Sequence, residues 1–361
     1  MMRPGNNVPR LIFWELTKRC NLKCVHCRAE AGVADYREMD TSEVKKTLDD
    51  IASFAKPIMV LTGGEPLYRK DIFDIARHVV SRGMKAALAT NGTLVDGMIA
   101  AEIKAAGIER VSISIDGADA ATHDGFRGIA GSFDEALRGA ANLRTAGVGF
   151  QFNTTITRRN VAGFEKVFSL AVDSGAKALH VFMLVPVGCG AEIAETDMLS
   201  GEEYERVLNR LYDLSRETGF EIKATCAPHY YRIIRQRARE EGRKITFESD
   251  GLSAVTRGCL AGTGVCFISH RGDVQPCGYL PLVAGNVRET HFREIWEKSE
   301  LFIGLRDFSR LGGKCGECEY VAFCGGCRAR AYYETGSAFD EEPYCGYEPA
   351  RRRISPAGGE K

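Results

Sequence analysis

Cys20, Cys24 and Cys27 are spaced CxxxCxxC and follow directly on the short apolar run Leu11 to Leu16. Three thiolates in one tight loop can hold three corners of a four-iron cube. With no fourth cysteine beside them, one iron stays open for a small molecule to chelate. Burial of the three as ordinary hydrophobes is disfavoured, because Arg19, Asn21, Lys23, His26 and Arg28 interleave them and make a poor core segment. A zinc ion would want a fourth ligand, and His26 lies too close in sequence to be an easy one.

A second group of cysteines, at 259, 266, 277, 315, 318, 324, 327 and 345, falls in a stretch rich in glycine and short turns after Gly258. Eight is the count for two fully ligated four-iron clusters, while zinc uses CxxC pairs as well. Either metal would supply folding energy that so small a segment lacks in its own core. The run from Phe292 to Phe302 predicts one short amphipathic helix between them. With 11 of the 13 cysteines in these two groups, metal ligation is a better reading than disulfides.

The chain between the groups must position them. Near-continuous apolar runs at 11–16, 57–62, 84–89, 110–115, 149–156 and 178–184 predict strands buried on both faces, with a short one at 220–224. Helical patterns separate them: from Asp40, where Asp40 and Glu43 are spaced as a capping box, then at 71–81, before Gly107, and at 132–145, 161–173 and 201–218. Six or so β-α units in series mean a parallel sheet with helices outside. In such folds the loops at the carboxyl ends of strands make the site. Gly63, Gly64, Glu65 and Pro66 end the second strand, in a loop suited to close backbone approach. Thr90, Asn91, Ser114, Asp116, Asn153 and Thr155 end later ones. Asn91-Gly92 and Asp116-Gly117 alone read as turn formers; recurrence after successive strands favours function.

Residues 226–257 break this rhythm. A helix from about Tyr230 would put Arg232, Arg235 and Arg239 near one face, as solvated surface or as a clamp for a multiply carboxylated ligand. His229, Tyr230 and Tyr231 follow Pro228, and a satisfied surface histidine is the plain reading of His229. Cys189, in PVGCG, faces the cavity or packs as a small hydrophobe. Lys plus Arg equals Asp plus Glu at 48 each, so bulk charge gives no argument for nucleic acid. The N-terminus has no apolar h-region and no run approaches the length of a membrane span, so a soluble cytoplasmic protein is expected.

CxxxCxxC with the GGEP loop at the next strand end resembles the radical S-adenosylmethionine (SAM) enzymes. The resemblance implies a partial (β/α)6 TIM-like barrel in α/β class, a four-iron cluster on Cys20, Cys24 and Cys27, and SAM held by Gly63 to Pro66, Asn91, Ser114, Asp116 and Asn153, with Val185 to Val187 near its adenine. Gly272, Cys277 and the later cysteines resemble the iron–sulfur (SPASM) domain, with two residues rather than three between Cys324 and Cys327. Its interleaved ligands imply Cys259, Cys266, Cys277 and Cys327 for a first auxiliary cluster and Cys315, Cys318, Cys324 and Cys345 for a second. Implied boundaries are an arm at 1–10, the barrel at 11–225, a basic bridging helix at 226–257, the auxiliary domain at 258–348 and a disordered tail at 349–361.

Stretches such as ISIDGADAATHDGFRG, KATCAPHYYRI and CGGCRARAYYETG are similar to the heme-biosynthesis branch, above all to its Fe-coproporphyrin III decarboxylases. The resemblance implies a 5'-deoxyadenosyl radical that takes a hydrogen from the β-carbon of each of two propionates. Loss of carbon dioxide and one electron then leaves vinyl groups and heme b, with an auxiliary cluster as the natural electron sink. An iron porphyrin substrate and an external one-electron reductant such as ferredoxin or flavodoxin follow, with Cys226, His229, Tyr231, Arg232, Arg235 and Arg239 as candidate substrate residues. The alternatives are sibling side-chain removal from didecarboxysiroheme, the heme d1 route, or peptide maturation.

Overall fold

The computed structural model describes residues 8–350, so most of the expected arm and nearly all of the expected tail lie outside the described residues. Seven strands pair in parallel and in chain order: β1 Leu11–Glu15, β2 Ile58–Thr62, β3 Lys85–Thr90, β4 Ile108–Ser114, β5 Gly149–Ile156, β6 Ala178–Met183 and β7 Glu221–Thr225. The crossovers carry α1 Thr41–Phe54, α2 Ile72–Ser81, α3 Gly97–Ala105, α4 Ala120–Arg127, α5 Ser132–Ala146 and α6 Phe164–Asp173. α1 starts where its sequence directs: the Asp40 side chain accepts from Glu43 N and Glu43 reaches back to Asp40 N, while Val44, Leu48 and Ile51 are buried. α4 has no strong apolar repeat and is not predicted by periodicity. Asp119 caps it and Gly128, at φ 70°, ends it.

Strand alternation sorts the sheet into two faces. On β4 and β5, Val111, Ile113, Phe150 and Phe152 are buried in the main core, and Ser112, Ser114, Gln151 and Asn153 turn to the other face. Gln151 Nε2 donates to Asn153 Oδ1 at 3.0 Å and lies 2.8 Å from His180 Nδ1, so that inner face is a connected polar surface.

The cysteine-rich segment does not form a sheet of its own. β8 Val265–Ile268 pairs in parallel with the free edge of β1, and β9 Asp273–Gln275 and β10 Gly285–Asn286 add antiparallel beyond it. The order is β10-β9-β8-β1-β2-β3-β4-β5-β6-β7, one continuous sheet of ten strands. Charged groups reinforce this seam. Glu15 at the end of β1 accepts from Arg28 Nη2 at 2.9 Å and lies 2.7 Å from His270 Nδ1, and His270 Nε2 is 3.2 Å from Asp35. Burial alone would raise the Glu15 carboxyl, but the His270 and Arg28 partners outweigh it and hold the group below its ordinary value. The helix predicted from Phe292 to Phe302 is two, Phe292–Lys298 and Glu300–Arg306, broken where Ser299 turns extended at ψ 124°. Among the described residues no helix is long and apolar enough to cross a membrane.

Candidate active site and auxiliary metal centres

The cysteine triad lies on the loop leaving β1, and backbone bonds pin that loop on two sides. Cys20 N donates to Gly32 O, while Lys23 N and Val25 N donate to Arg127 O and Phe126 O at the end of α4. Each sulfur of the triad accepts one N–H: Cys20 from Leu22 N at 3.4 Å, Cys27 from Ala31 N at 3.4 Å and Cys24 from Arg127 Nη1 at 3.6 Å. Donors aimed at all three sulfurs suit thiolates that carry negative charge in a cluster. Burial pushes the Cys20 thiol up to about 11, so a metal must displace its proton on binding.

The GGEP loop packs directly on this segment. Gly64 N donates to Thr17 O and Glu65 N to Arg19 O, both at 2.7 Å. A Cβ on Gly63 would meet Thr17 O at 2.8 Å and one on Gly64 would meet Arg19 O at 2.5 Å, which explains the glycine pair. The close approach is therefore to the chain's own triad loop. Glu65 is fully buried and accepts from Thr90 Oγ1 and Asn91 N at 2.8 Å and from Leu67 N at 3.1 Å, tying the ends of β2 and β3 together. Asn91 Nδ2 in turn donates to Asn21 Oδ1, inside the triad loop.

Burial pushes Glu65 up to about 7, against the three bonds that favour its charged form. Because the folded value lies above the unfolded 4.5, the stability Glu65 contributes is fully present below 4.5 and is lost as pH rises to about 7. Glu65→Gln is expected to melt lower than wild type at acidic pH, with that gap narrowing as pH climbs through this window. Thermal melts of both proteins across it are the check, and a constant gap would refute the assignment.

Asp116 occupies the expected strand end, but its carboxylate is engaged within the chain. It pairs with Arg127 Nη2 at 2.6 Å, accepts from Thr155 N at 2.8 Å and lies 3.4 Å from His26 Nε2. Arg127 thus links Asp116 to Cys24 Sγ. Sequence reasoning missed it and His26, whose burial lowers it to about 4 and keeps it neutral. Arg127 sits inside ISIDGADAATHDGFRG and His26 between Cys24 and Cys27, and no periodicity marks either. Ser114 and Asn153 face each other in register across β4 and β5. Cys189 N donates to Cys27 O at 2.9 Å, which brings Cys189 against the triad loop.

Among the auxiliary cysteines, Cys315, Cys318, Cys324 and Cys345 line one cavity together with His229 and Arg232. Backbone N–H groups of Glu342, Tyr320 and Gly326 donate to Cys315, Cys318 and Cys324 at 3.3 to 3.4 Å. Both ring nitrogens of His229, Nε of Arg232 and Nε and Nη1 of nearby Arg257 are buried without a hydrogen-bond partner. Orphaned donors around four thiols fit an anionic cluster. Among the described residues no three His, Cys, Asp or Glu side chains converge as donors of one ion would.

The other set is divided between two surroundings. Cys266 pairs in register with Ile12, sits in the main core at 0% exposure and has Arg306 as its charged neighbour. Phe267, one residue on, turns to the opposite face and stacks on Arg28 at 4.5 Å. Cys277 and Cys327 instead share a separate apolar cluster with Cys226. Burial raises the Cys226 thiol well above its ordinary value, and Cys327, Cys277 and Cys259 raise it further.

The three arginines expected as a carboxylate clamp have different surroundings. Residues His229–Glu240 are helical as predicted, yet Arg232 is 3% exposed, bonded to Glu205 and stacked on Tyr347 at 4.9 Å. Arg235 stacks on Phe323 at 3.7 Å, Arg239 is exposed, and Tyr230 and Tyr231 pack in the main core. Arg232 and His229 therefore face the cavity of the four thiols, because the helix buries that side against the C-terminal segment.

Residues 14–171 match the radical SAM superfamily and residues 259–328 match an iron–sulfur cluster-binding domain, SPASM. The chain is 52% identical over 96% of its length, and 99% of the relative's, to an AdoMet-dependent heme synthase of Methanosarcina barkeri (strain Fusaro). It is 33% identical over 93% of its length, and 87% of the relative's, to an Fe-coproporphyrin III synthase of the same organism. Its fold is similar to that of SuiB of Streptococcus suis bound to S-adenosylmethionine, with a TM-score of 0.73, 16% identity, and 94% of this chain and 78% of that one covered. The chain belongs to the radical SAM superfamily, in its heme-biosynthesis branch, and is an enzyme that uses SAM and four-iron clusters.

Proposed function

We propose that this enzyme oxidatively decarboxylates two propionate side chains of Fe-coproporphyrin III to vinyl groups, forming heme b. The observation that carries the reading is the 52% identity, over nearly the whole of both chains, to a relative named a heme synthase. In each turnover the propionate loses a hydrogen atom from its β-carbon, its carboxylate as carbon dioxide and one electron to an acceptor. When bound, SAM on its cube supplies hydrogen-atom abstraction and the auxiliary clusters supply one-electron transfer.

The chain's own part is placement. Cys20, Cys24 and Cys27 hold the cube, with Arg127 offsetting charge at Cys24 and Asp116 holding Arg127 in turn. The backbone of Gly63 to Pro66 and the side chains of Asn91, Ser114 and Asn153 orient SAM. Cys315, Cys318, Cys324 and Cys345 hold one auxiliary cluster. The polar inner face of Gln151, Asn153 and His180 borders the space where substrate is held, and a cytoplasmic donor such as ferredoxin or flavodoxin provides electrons.

The test is anaerobic incubation of the reconstituted protein with SAM, a reductant and Fe-coproporphyrin III, followed by mass analysis of the porphyrin. Two successive losses of carbon dioxide, each with one 5'-deoxyadenosine formed, are expected. Formation of 5'-deoxyadenosine with the porphyrin mass unchanged would overturn the substrate and point to a sibling tetrapyrrole.

A further inference from the structure

Cys226 is one of two non-glycine residues among those described with a positive φ, at 54°. A side chain rarely adopts that conformation without a demand from its surroundings. It follows β7 immediately, so its backbone belongs to the mouth of the barrel. Its thiol shares the apolar cluster of Cys277 and Cys327. The chain preceding Cys259 passes against Pro228, two residues beyond Cys226, since a Cβ on Gly258 would lie 2.6 Å from Cα of Pro228.

One buried ion pair fixes two of these cysteines relative to each other. Arg330 Nη2 donates to Cys226 O at 2.6 Å, Arg330 Nε donates to Glu342 Oε1 at 2.9 Å, and Glu342 Oε2 accepts from Cys327 N at 2.5 Å. Two cysteines some 100 residues apart are thereby pinned to the two ends of a single bridge. Cys266, by contrast, is carried by strand parity to the opposite face of the sheet from Phe267 and cannot join them without turning β8 over.

We propose that Cys226 supplies the fourth thiolate to the auxiliary cluster held by Cys259, Cys277 and Cys327, in place of Cys266. The assignment rests on the reading of the C-terminal segment as an iron–sulfur domain. It makes this cluster a covalent staple between the last barrel strand and the C-terminal segment. It also places the cluster beside Tyr279, a half-buried ring whose neighbours include Cys226, Arg28 and Asp116, on the side of the SAM site.

Reconstituted protein carrying Cys20→Ala, Cys24→Ala and Cys27→Ala retains only the auxiliary iron and provides the background. Cys226→Gly in that background removes the thiol while relaxing the positive φ, so it leaves the fold no more strained than before. Either iron falls by about four per chain or the reduced cluster's electron paramagnetic resonance spectrum shifts as one iron opens to added imidazole. Cys226→Ser should shift the same spectrum, and Cys266→Ala should match the background in iron, sulfide and spectrum. An unchanged spectrum and iron content in Cys226→Gly, or loss of iron in Cys266→Ala, overturns the assignment. A background protein with no iron at all would instead refute the iron–sulfur reading of the domain.

Discussion

Cys24→Ala is expected to abolish reductive cleavage of SAM and to remove about four irons per chain, leaving the auxiliary iron in place. The reason is local. Cys24 is the triad sulfur that faces a charged donor, Arg127 Nη1 at 3.6 Å, and Arg127 is held by Asp116 at 2.6 Å. Without Cys24 the loop offers two sulfurs to a cube, and the guanidinium faces an empty corner. Arg127→Lys keeps the charge but loses the fork that reaches Asp116 and Cys24 together. It is expected to lower 5'-deoxyadenosine formation by roughly 10–100-fold, as loss of an outer partner does at other metal sites, with iron retained. Iron assay and quantitation of 5'-deoxyadenosine separate the two variants. Continued SAM cleavage by Cys24→Ala would remove the triad from the chemistry.

The second large effect concerns stability. Arg330 and Glu342 are both 0% exposed and pair at 2.9 Å, with Arg330 also donating to Cys226 O and lying 5.1 Å from the ring of Tyr204. Taking away one member of a buried pair leaves the other charged and unsolvated, which costs about 3–5 kcal/mol. Arg330→Leu should show that loss in anaerobic denaturant unfolding, and Arg330→Leu with Glu342→Leu should recover part of it. A loss under about 1 kcal/mol in the single variant would mean that the pair is solvated in solution.

What the sequence made legible follows its periodicities. Strand and helix order along the barrel can be read because apolar runs and a capping box such as Asp40 with Glu43 act locally. The triad and GGEP loops are legible because their spacing is itself the chemistry. Asp116 is legible as a strand-end residue and not in its partner, since Arg127 comes from a helix with little pattern of its own. Cys266 and Cys226 show a different limit. Counting thiols in the C-terminal segment groups Cys266 with its neighbours, whereas the parity of a four-residue strand decides which face it takes. The seam with β1 that sets this parity joins residues far apart in the chain. Arg232 has the helical spacing of a clamp, but burial against Glu205 and Tyr347 is a tertiary fact.

The pairing of β1 with β8 has a consequence for how the chain is made. During synthesis from the N-terminus, β1 can find β2 early, and all seven barrel strands emerge before β8 exists. Throughout that interval the outer edge of β1 presents bare N–H and C=O groups, open to pairing with another copy. Closure waits on a contact between the first and last parts of the chain, the slowest kind to form. Residues 265–268 cover that edge once they dock, so the last quarter of the chain closes off its first strand.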